Sequence, residues 1–231
     1  DQGGPVTLDE KIDLALSRIE ELFREFGSGR VAVAWTGGKD STVVLDLVRR
    51  HVAVEPELQG AVVRALNLDT GVKFPEVLAF RDQMAKEWGV ALRVIAPDVA
   101  IEDYPVAGDP VTCCRELKIE PLKRAVAGLE IRALLSGVRA DEHPDRAGRP
   151  WREERCDPDH VLAHPILEWS EMDVWSYHMQ QGLPYCSLYD QGYRSLGCVP
   201  CTELPAGQEE RSGRSRAKER SMEQLRSLGY F

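Results

Sequence analysis

The chain has 231 residues, 43% of them hydrophobic and 29% charged, with a formal net charge of −9; this suits one sizeable globular α/β core. The acidic balance excludes an extended nucleic-acid surface, which needs an excess of Lys and Arg. No apolar run approaches the roughly 18 residues of a membrane span and no signal-peptide pattern opens the chain, so a cytoplasmic location is expected.

Residues 1–6 read as a flexible lead-in. Thr7 is placed as an N-cap with Glu10 three residues on, and Ile12, Leu14, Ala15, Ile19, Leu22 and Phe23 form a helical apolar stripe that ends near Gly27. Val31 to Trp35 then reads as a buried strand, Thr36 to Ser41 as a glycine-bearing loop, and about Asp40 to His51 as a helix. A strand that feeds a Gly-Gly turn and a helix N-terminus makes an anion site. Gly37 and Gly38 let the backbone approach a phosphate, and Lys39, Ser41 and Thr42 add donors.

A second strand, Val62 to Leu68, ends in Asn67-Leu-Asp-Thr-Gly71 and places Asp69 where open α/β sheets bind ligands. Phe74-Pro-Glu76 opens a helix that runs to about Trp88, and Ala91 to Ile95 is a third strand. Leu134-Leu135 is a further short strand, and the Gly137-Val-Arg139 turn behind it gives Arg139 a phosphate-reading position. These repeats predict a doubly wound, mostly parallel α/β sheet. Residues 139–160 are polar and read as a mobile loop of solvated charges. Ser170 caps a helix that ends near Gly182, with Val174, Trp175 and Tyr177 as core candidates. Near the end, Arg211, Arg214, Arg216, Lys218 and Arg220 form a basic segment, residues 203–231, expected to stay mobile until an anion orders it as a lid.

Six cysteines in a cytosolic chain point to metal or redox chemistry before disulfides. Cys113-Cys114 and Cys198-Val-Pro-Cys201 supply two thiol pairs. Two successive side chains seldom converge on one small ion, so the four suit the several irons of a cubane cluster better than zinc. Cys156 and Cys186 stand alone and read as core or loop residues.

The loop Thr36-Gly-Gly-Lys-Asp-Ser41 resembles the Ser-Gly-Gly-x-Asp-Ser loop of the ATP pyrophosphatases, with Thr36 in place of the first serine. Cys113-Cys-Arg-Glu-Leu-Lys-Ile-Glu-Pro-Leu122 and Tyr189-Asp-Gln-Gly-Tyr-Arg-Ser-Leu-Gly-Cys-Val-Pro-Cys-Thr202 resemble the adenylyl-sulfate reductases that carry a [4Fe–4S] cluster. The turns at Leu68–Gly71 and Gly137–Arg139, His164 to Trp175, and Glu210-Arg-Ser-Gly-Arg214 are similar to the wider phosphoadenylyl-sulfate reductase family. The match spans residues 30–215, and the fold it implies is Rossmann-like, of the adenine nucleotide alpha hydrolase type. The resemblance also implies that Cys113, Cys114, Cys198 and Cys201 hold the cluster and that Arg211 and Arg214 face the nucleotide.

Two departures matter. The reductases place a nucleophilic cysteine in a later Cys-Gly-Leu-His-like segment, whereas no residue after Cys201 here is a cysteine. Their phosphate loop is also usually degenerate, whereas Gly37 to Ser41 is intact. The ending, Ser221 to Phe231, is similar to that of the small subunit of sulfate adenylyltransferase, a true ATP-cleaving relative.

The expectation is therefore an iron–sulfur enzyme of sulfur metabolism that binds ATP with Mg²⁺ and cleaves it between the α and β phosphates. Lys39, Asp40, Ser41 and Arg139 would be catalytic, while Thr36, Gly37, Gly38, Thr42, Asp69, Arg211 and Arg214 would bind the nucleotide. The alternative is a reductase of adenylyl sulfate or its 3′-phosphorylated form that draws a thiol from elsewhere. Expected partners are the adenine nucleotide, a thiol or sulfur-transfer protein and, where it assembles, a second copy of the chain.

Overall fold

The structure, a computed structural model, describes residues 6–230, so the first five positions of the expected lead-in and Phe231 lie outside the described residues. The Thr7 hydroxyl accepts from the Glu10 amide and Glu10 reaches back, which starts α1 (Leu8–Phe26). Of the stripe read from sequence, Ala15, Ile19, Leu22 and Phe23 are buried, but Leu14 is exposed. Strand β1 (Val31–Ala34) feeds α2 (Lys39–Val54), and β2 (Arg64–Leu68) feeds α3 (Pro75–Glu87), which leads to β3 (Ala91–Ile95). Then come α4 (Pro110–Cys114), a π-helical turn (Arg115–Ile119), α5 (Glu120–Gly128) and β4 (Ala133–Leu135). A hairpin of β5 (Arg152–Cys156) and β6 (Asp159–Ala163) precedes α6 (Glu171–Gln181), and α7 (Arg216–Arg220) and α8 (Met222–Ser227) follow.

The six strands lie in the order β3-β2-β1-β4-β6-β5. All neighbouring pairs are parallel except β5 with β6. The chain winds outward from β1 to β3, returns to β4 on the other side of β1, and so creates a switch point between the C-terminal ends of β1 and β4. Alternation along β1 separates the two faces. Val31, Val33 and Trp35 join the core under α1, α2, α3 and α6, while Ala32 and Ala34 pack with Leu122 and Val126 of α5.

The expected mobile loop over residues 139–160 is corrected by the structure. Its second half is the β5–β6 hairpin, which pairs with β4 through β6. Arg139, Arg146 and Arg149 are buried and ion-paired. The strands escaped the sequence reading because β5 is Arg-Glu-Glu-Arg-Cys, an edge strand with almost no apolar signal. The basic segment is likewise packed in part: Met222 and Leu225 form a small core with Cys114 and Ile119, and Arg214 and Lys218 are buried, while Arg216 and Arg220 are exposed. Repulsion is offset at Arg211, where Glu219 pairs at 2.7 Å and Glu142 lies 3.8 Å from the guanidinium, but persists between Arg214 and its cationic neighbours.

His164, at the end of β6, is fully buried and bonds Ser136 at 2.7 Å and Glu153 at 3.3 Å. Burial pushes its imidazole down from 6.5 to about 4, against the opposing pull of Glu153. Because the unfolded chain protonates His164 first, this group's contribution is fully present above about pH 6.5 and is lost as the pH falls toward 4. Urea denaturation across that window should show stability falling with acidity, and His164→Asn should flatten the slope.

Candidate active site

A cavity of about 150 Å³ opens at the switch point. Thr36, Gly38, Asp40 and Ser41 from the β1–α2 loop form one wall, with Gly137 and Val138 behind β4. Leu66 and Leu68 supply an apolar floor, and Tyr189, Gly197, Arg211, Arg214 and Tyr230 close it from the C-terminal third.

The loop is built by its own hydroxyls. Thr36 N–H donates to Ser41 Oγ (3.1 Å), and Thr42 Oγ1 donates to Gly38 O (2.8 Å) while accepting from Trp35 Nε1 (3.0 Å). Thr42 is thus spent on the fold, and it and Gly37 lie behind the cavity wall. The first helical amide, Lys39 N–H, donates to Tyr189 Oη at 2.8 Å. Gly137 sits so close to the helix start that a Cβ there would lie 2.5 Å from Ser41 N. Asp69 is turned outside the cavity lining, accepting from Gly71 N–H at 3.0 Å and pairing with Arg81 at 3.3 Å.

Lys39 and Arg139 are almost wholly buried, at 1% and 0% exposure, and both are saturated by the protein. Lys39 Nζ reaches Glu210 at 2.5 Å, Arg194 O at 2.9 Å and Asp40 at 3.2 Å. Arg139 bonds Asp40 (2.7 Å), Asp141 (2.5 Å) and both oxygens of Glu210 (2.7 and 2.5 Å). Burial opposes these charges, but the surrounding carboxylates outweigh it and hold both cations protonated beyond their ordinary range. Burial likewise opposes the Glu142 charge, yet Arg146, Arg139 and Arg211 bring its carboxyl down to about 2. The carboxylates of Asp40, Glu142 and Glu210 come within 4.8 Å of one another, the spacing a divalent cation would use. They are already neutralised by Lys39, Arg139 and Arg146, so the expected Mg²⁺ gains no support here.

The far end of the cavity has the opposite character. Among the described residues, Lys73, Lys118, Arg214 and Lys218 form no ion pair with a carboxylate, although the last three are at most 8% exposed. Arg214 Nε has no hydrogen-bond partner, and its guanidinium stacks on Gly197, where a Cβ would lie 2.4 Å from it. Lys218 Nζ donates to Tyr230 Oη at 2.9 Å, and the Tyr230 ring lies under both Lys118 and Lys218.

This cationic end adjoins the thiols. The Thr70 hydroxyl is 3.2 Å from Cys198 Sγ, and Lys73 bridges to Cys198 through the backbone. Burial pushes the Cys113 thiol up, with Cys114, Cys198 and Cys201 adding to the rise, so the four share one neighbourhood. Burial also raises Cys198, but the ammonium groups of Lys118 and Lys73 overcome it and bring the thiol down to about 6. Lys118 follows Cys114 by four residues on one continuous helix, a spacing that could have flagged it in the sequence. Glu142, Glu210, Lys118 and Tyr230 are the residues that the sequence reading left without a role. Cys186 is buried in a satellite cluster with Val77 and Leu188, and Cys156 is exposed on the hairpin; neither lines this cavity.

The Phosphoadenosine phosphosulfate reductase domain family matches residues 30–204. The chain is 32% identical to an adenosine 5′-phosphosulfate reductase of Allochromatium vinosum, covering 90% of this chain and 81% of that one. It is 34% identical to a phosphoadenosine 5′-phosphosulfate reductase of Gloeobacter violaceus, covering 89% and 86%. In fold it is similar to a crystal structure of phosphoadenylyl-sulfate reductase from Candida auris (TM-score 0.65, 19% identity, 87% of this chain and 100% of that chain). It is also similar in fold to Candida glabrata FMN adenylyltransferase with FMN and an ATP analogue (TM-score 0.72, 20% identity, 86% and 66%).

Replacing Gly137 by Ala should drive the helix start away from β4 and weaken AMP binding by roughly tenfold or more, read by calorimetry. Unchanged affinity would remove Gly137 from the site.

Proposed function

The chain belongs to the phosphoadenosine phosphosulfate reductase family, and from that premise we propose that it reduces adenylyl sulfate or its 3′-phosphorylated form to sulfite. The observation that carries this reading is the unequal charge of the two cavity ends. The loop that would grip β and γ phosphates is neutralised by Glu210 and Asp40, while Arg214, bonded to Ser195 through Nη1, and Lys118 have no carboxylate partner among the described residues. An adenylyl group on the apolar floor would therefore carry its sulfonyl end toward Arg214 and Lys118. The names of the relatives also favour reduction over the ATP cleavage that the intact loop led us to expect.

Cys113, Cys114, Cys198 and Cys201 fit a [4Fe–4S] cluster, since four thiolates around a cubane leave a net negative charge that Lys73, Lys118, Lys218 and Arg214 offset. Bound there, the cluster supplies a redox-capable, anionic centre beside the cavity. The chain's own part in the reaction is electrostatic. A thiolate from a second molecule attacks the sulfate sulfur, the S–O bond to AMP breaks, and AMP leaves with the bonding pair. Arg214 and Lys118 stabilise the sulfonyl oxygens, and Arg211 holds the covering segment through Glu219. A second thiol then forms a disulfide with the first and releases sulfite. Cys156 and Cys186 lie outside the cavity lining, which favours a thiol delivered by a partner protein or small dithiol. Among the described residues no helix is long and apolar enough to cross a membrane. A cytoplasmic setting, where partner thiols stay reduced, suits this chemistry.

Incubated with a dithiol, the protein should release sulfite from adenylyl sulfate and no pyrophosphate from ATP; pyrophosphate without sulfite would reverse the reading. Anaerobic protein should hold about four irons per chain. Cys198→Ser should lose them and Cys156→Ser should keep them, and stoichiometric zinc in their place would refute the cluster.

A further inference from the structure

The phosphate loop has an intact sequence, yet its two nearest cations cannot be reached by any anion while Glu210 is in place. Glu210 Oε1 lies 2.5 Å from Lys39 Nζ, and both of its oxygens bond Arg139 Nη2. Asp40 and Asp141 occupy the other nitrogens of Arg139, and Arg194 O and Asp40 the rest of Lys39. Every nitrogen of the two cations already has a partner, and neither side chain is more than 1% exposed. The geometry around Glu210 is that of an anion seat: one carboxylate bridges an ammonium and a guanidinium beside the N-terminus of a 16-residue helix.

We propose that Glu210 is the residue that decides whether this loop accepts a phosphate chain: its carboxylate fills the seat of a condensed phosphate and leaves the site to nucleotides that end beside Arg214. The inference rests on the sulfonucleotide reading above and says why the loop is silent within it. Glu210 belongs to residues 203–214, which Glu203 N–H to Gly213 O (2.8 Å) closes into a loop and which the Thr202–Arg214 bridge and Ser215 N–H to Cys201 O (3.1 Å) hold to the thiol-bearing turn. The next residue, Arg211, is tied to Glu219 at 2.7 Å. Seating Glu210 therefore also sets Arg211 and Arg214 over the cavity. A phosphate chain that displaced it would compete for the anchor of the same segment that carries the substrate-facing arginines.

The test is binding of inorganic pyrophosphate and of ATP, by calorimetry, to the full chain and to Glu210→Gln. Removing the resident charge should tighten both by roughly tenfold or more, because the incoming anion no longer displaces a charged hydrogen-bond partner. Adenosine, which brings no anion, should bind both proteins alike. The variant should melt at lower temperature than the parent and regain more of that loss with pyrophosphate than the parent gains. Glu210→Asp, which keeps the charge but shortens the reach, should fall between the two and covers the case in which Glu210→Gln does not fold. Equal or weaker pyrophosphate affinity in both variants, or no binding by any of the three proteins, overturns the proposal. Sulfite release by the parent tests the sulfonucleotide reading separately, since it does not depend on whether the variants gain pyrophosphate.

Discussion

The structure turns on one buried guanidinium. Arg139 stands at the end of β4 with no exposure, and its nitrogens reach the start of α2 through Asp40, the β4–β5 connection through Asp141, and the C-terminal third through Glu210. Three segments far apart in sequence are thereby held at the switch point of the sheet. Leaving the buried Glu210 carboxylate without its cations would strand a buried charge, at a cost of about 3–5 kcal/mol, whereas Asp141 is exposed and would lose far less. Such a network contributes less to net stability than to arrangement. It fixes where the loop, the turn behind β4 and the covering segment stand relative to one another, and the cavity is the space they leave.

Charge compensation then divides that cavity. Near the loop every cation has a carboxylate, so an arriving anion gains little. Near the thiols Lys118, Lys218 and Arg214 are buried without one among the described residues, and Tyr230, whose hydroxyl Lys118 and Lys218 draw down to about 7, the thiolates or an external anion must offset them. Burying several cations together is costly unless something negative joins them. On the proposed reading, the compensating charge would come from the cluster and the substrate. The same cations explain why Cys198 is drawn down toward thiolate, while burial and the neighbouring thiols push Cys113 up.

Much of this was legible in the sequence. The strand, Gly-Gly turn and helix of residues 31–54 announced the loop that walls one end of the cavity, and the capping residues Thr7 and Ser170 marked their helices because a hydroxyl three residues before a carboxylate satisfies two orphan amides. The thiol pairs were legible too, from spacing alone. What could not be read was pairing. Arg146, Arg149 and Glu142 looked like solvated charges in a polar loop, since charge content carries no sign of which partner lies across the fold. The β5–β6 hairpin was hidden for a related reason: its ion pairs replace the apolar alternation that marks a strand. Arg211 and Lys218 looked mutually repulsive because Glu142 and Tyr230, which separate and seat them, are distant in sequence or carry no formal charge.

The same limit governs the inference from motif to activity. A loop sequence specifies donors, but whether those donors are available depends on residues it does not contain. Lys39 offers an ammonium to a phosphate only if Glu210, 171 positions away, gives it up, and the first amide of α2 offers its proton only if the Tyr189 hydroxyl does the same. An intact phosphate loop is thus compatible with two chemistries on one fold, and the choice passes to the segment that covers it. In this chain that segment brings a carboxylate to the loop and an unpaired arginine to the thiols, which moves the site's affinity for anions from the helix N-terminus to the far end of the cavity.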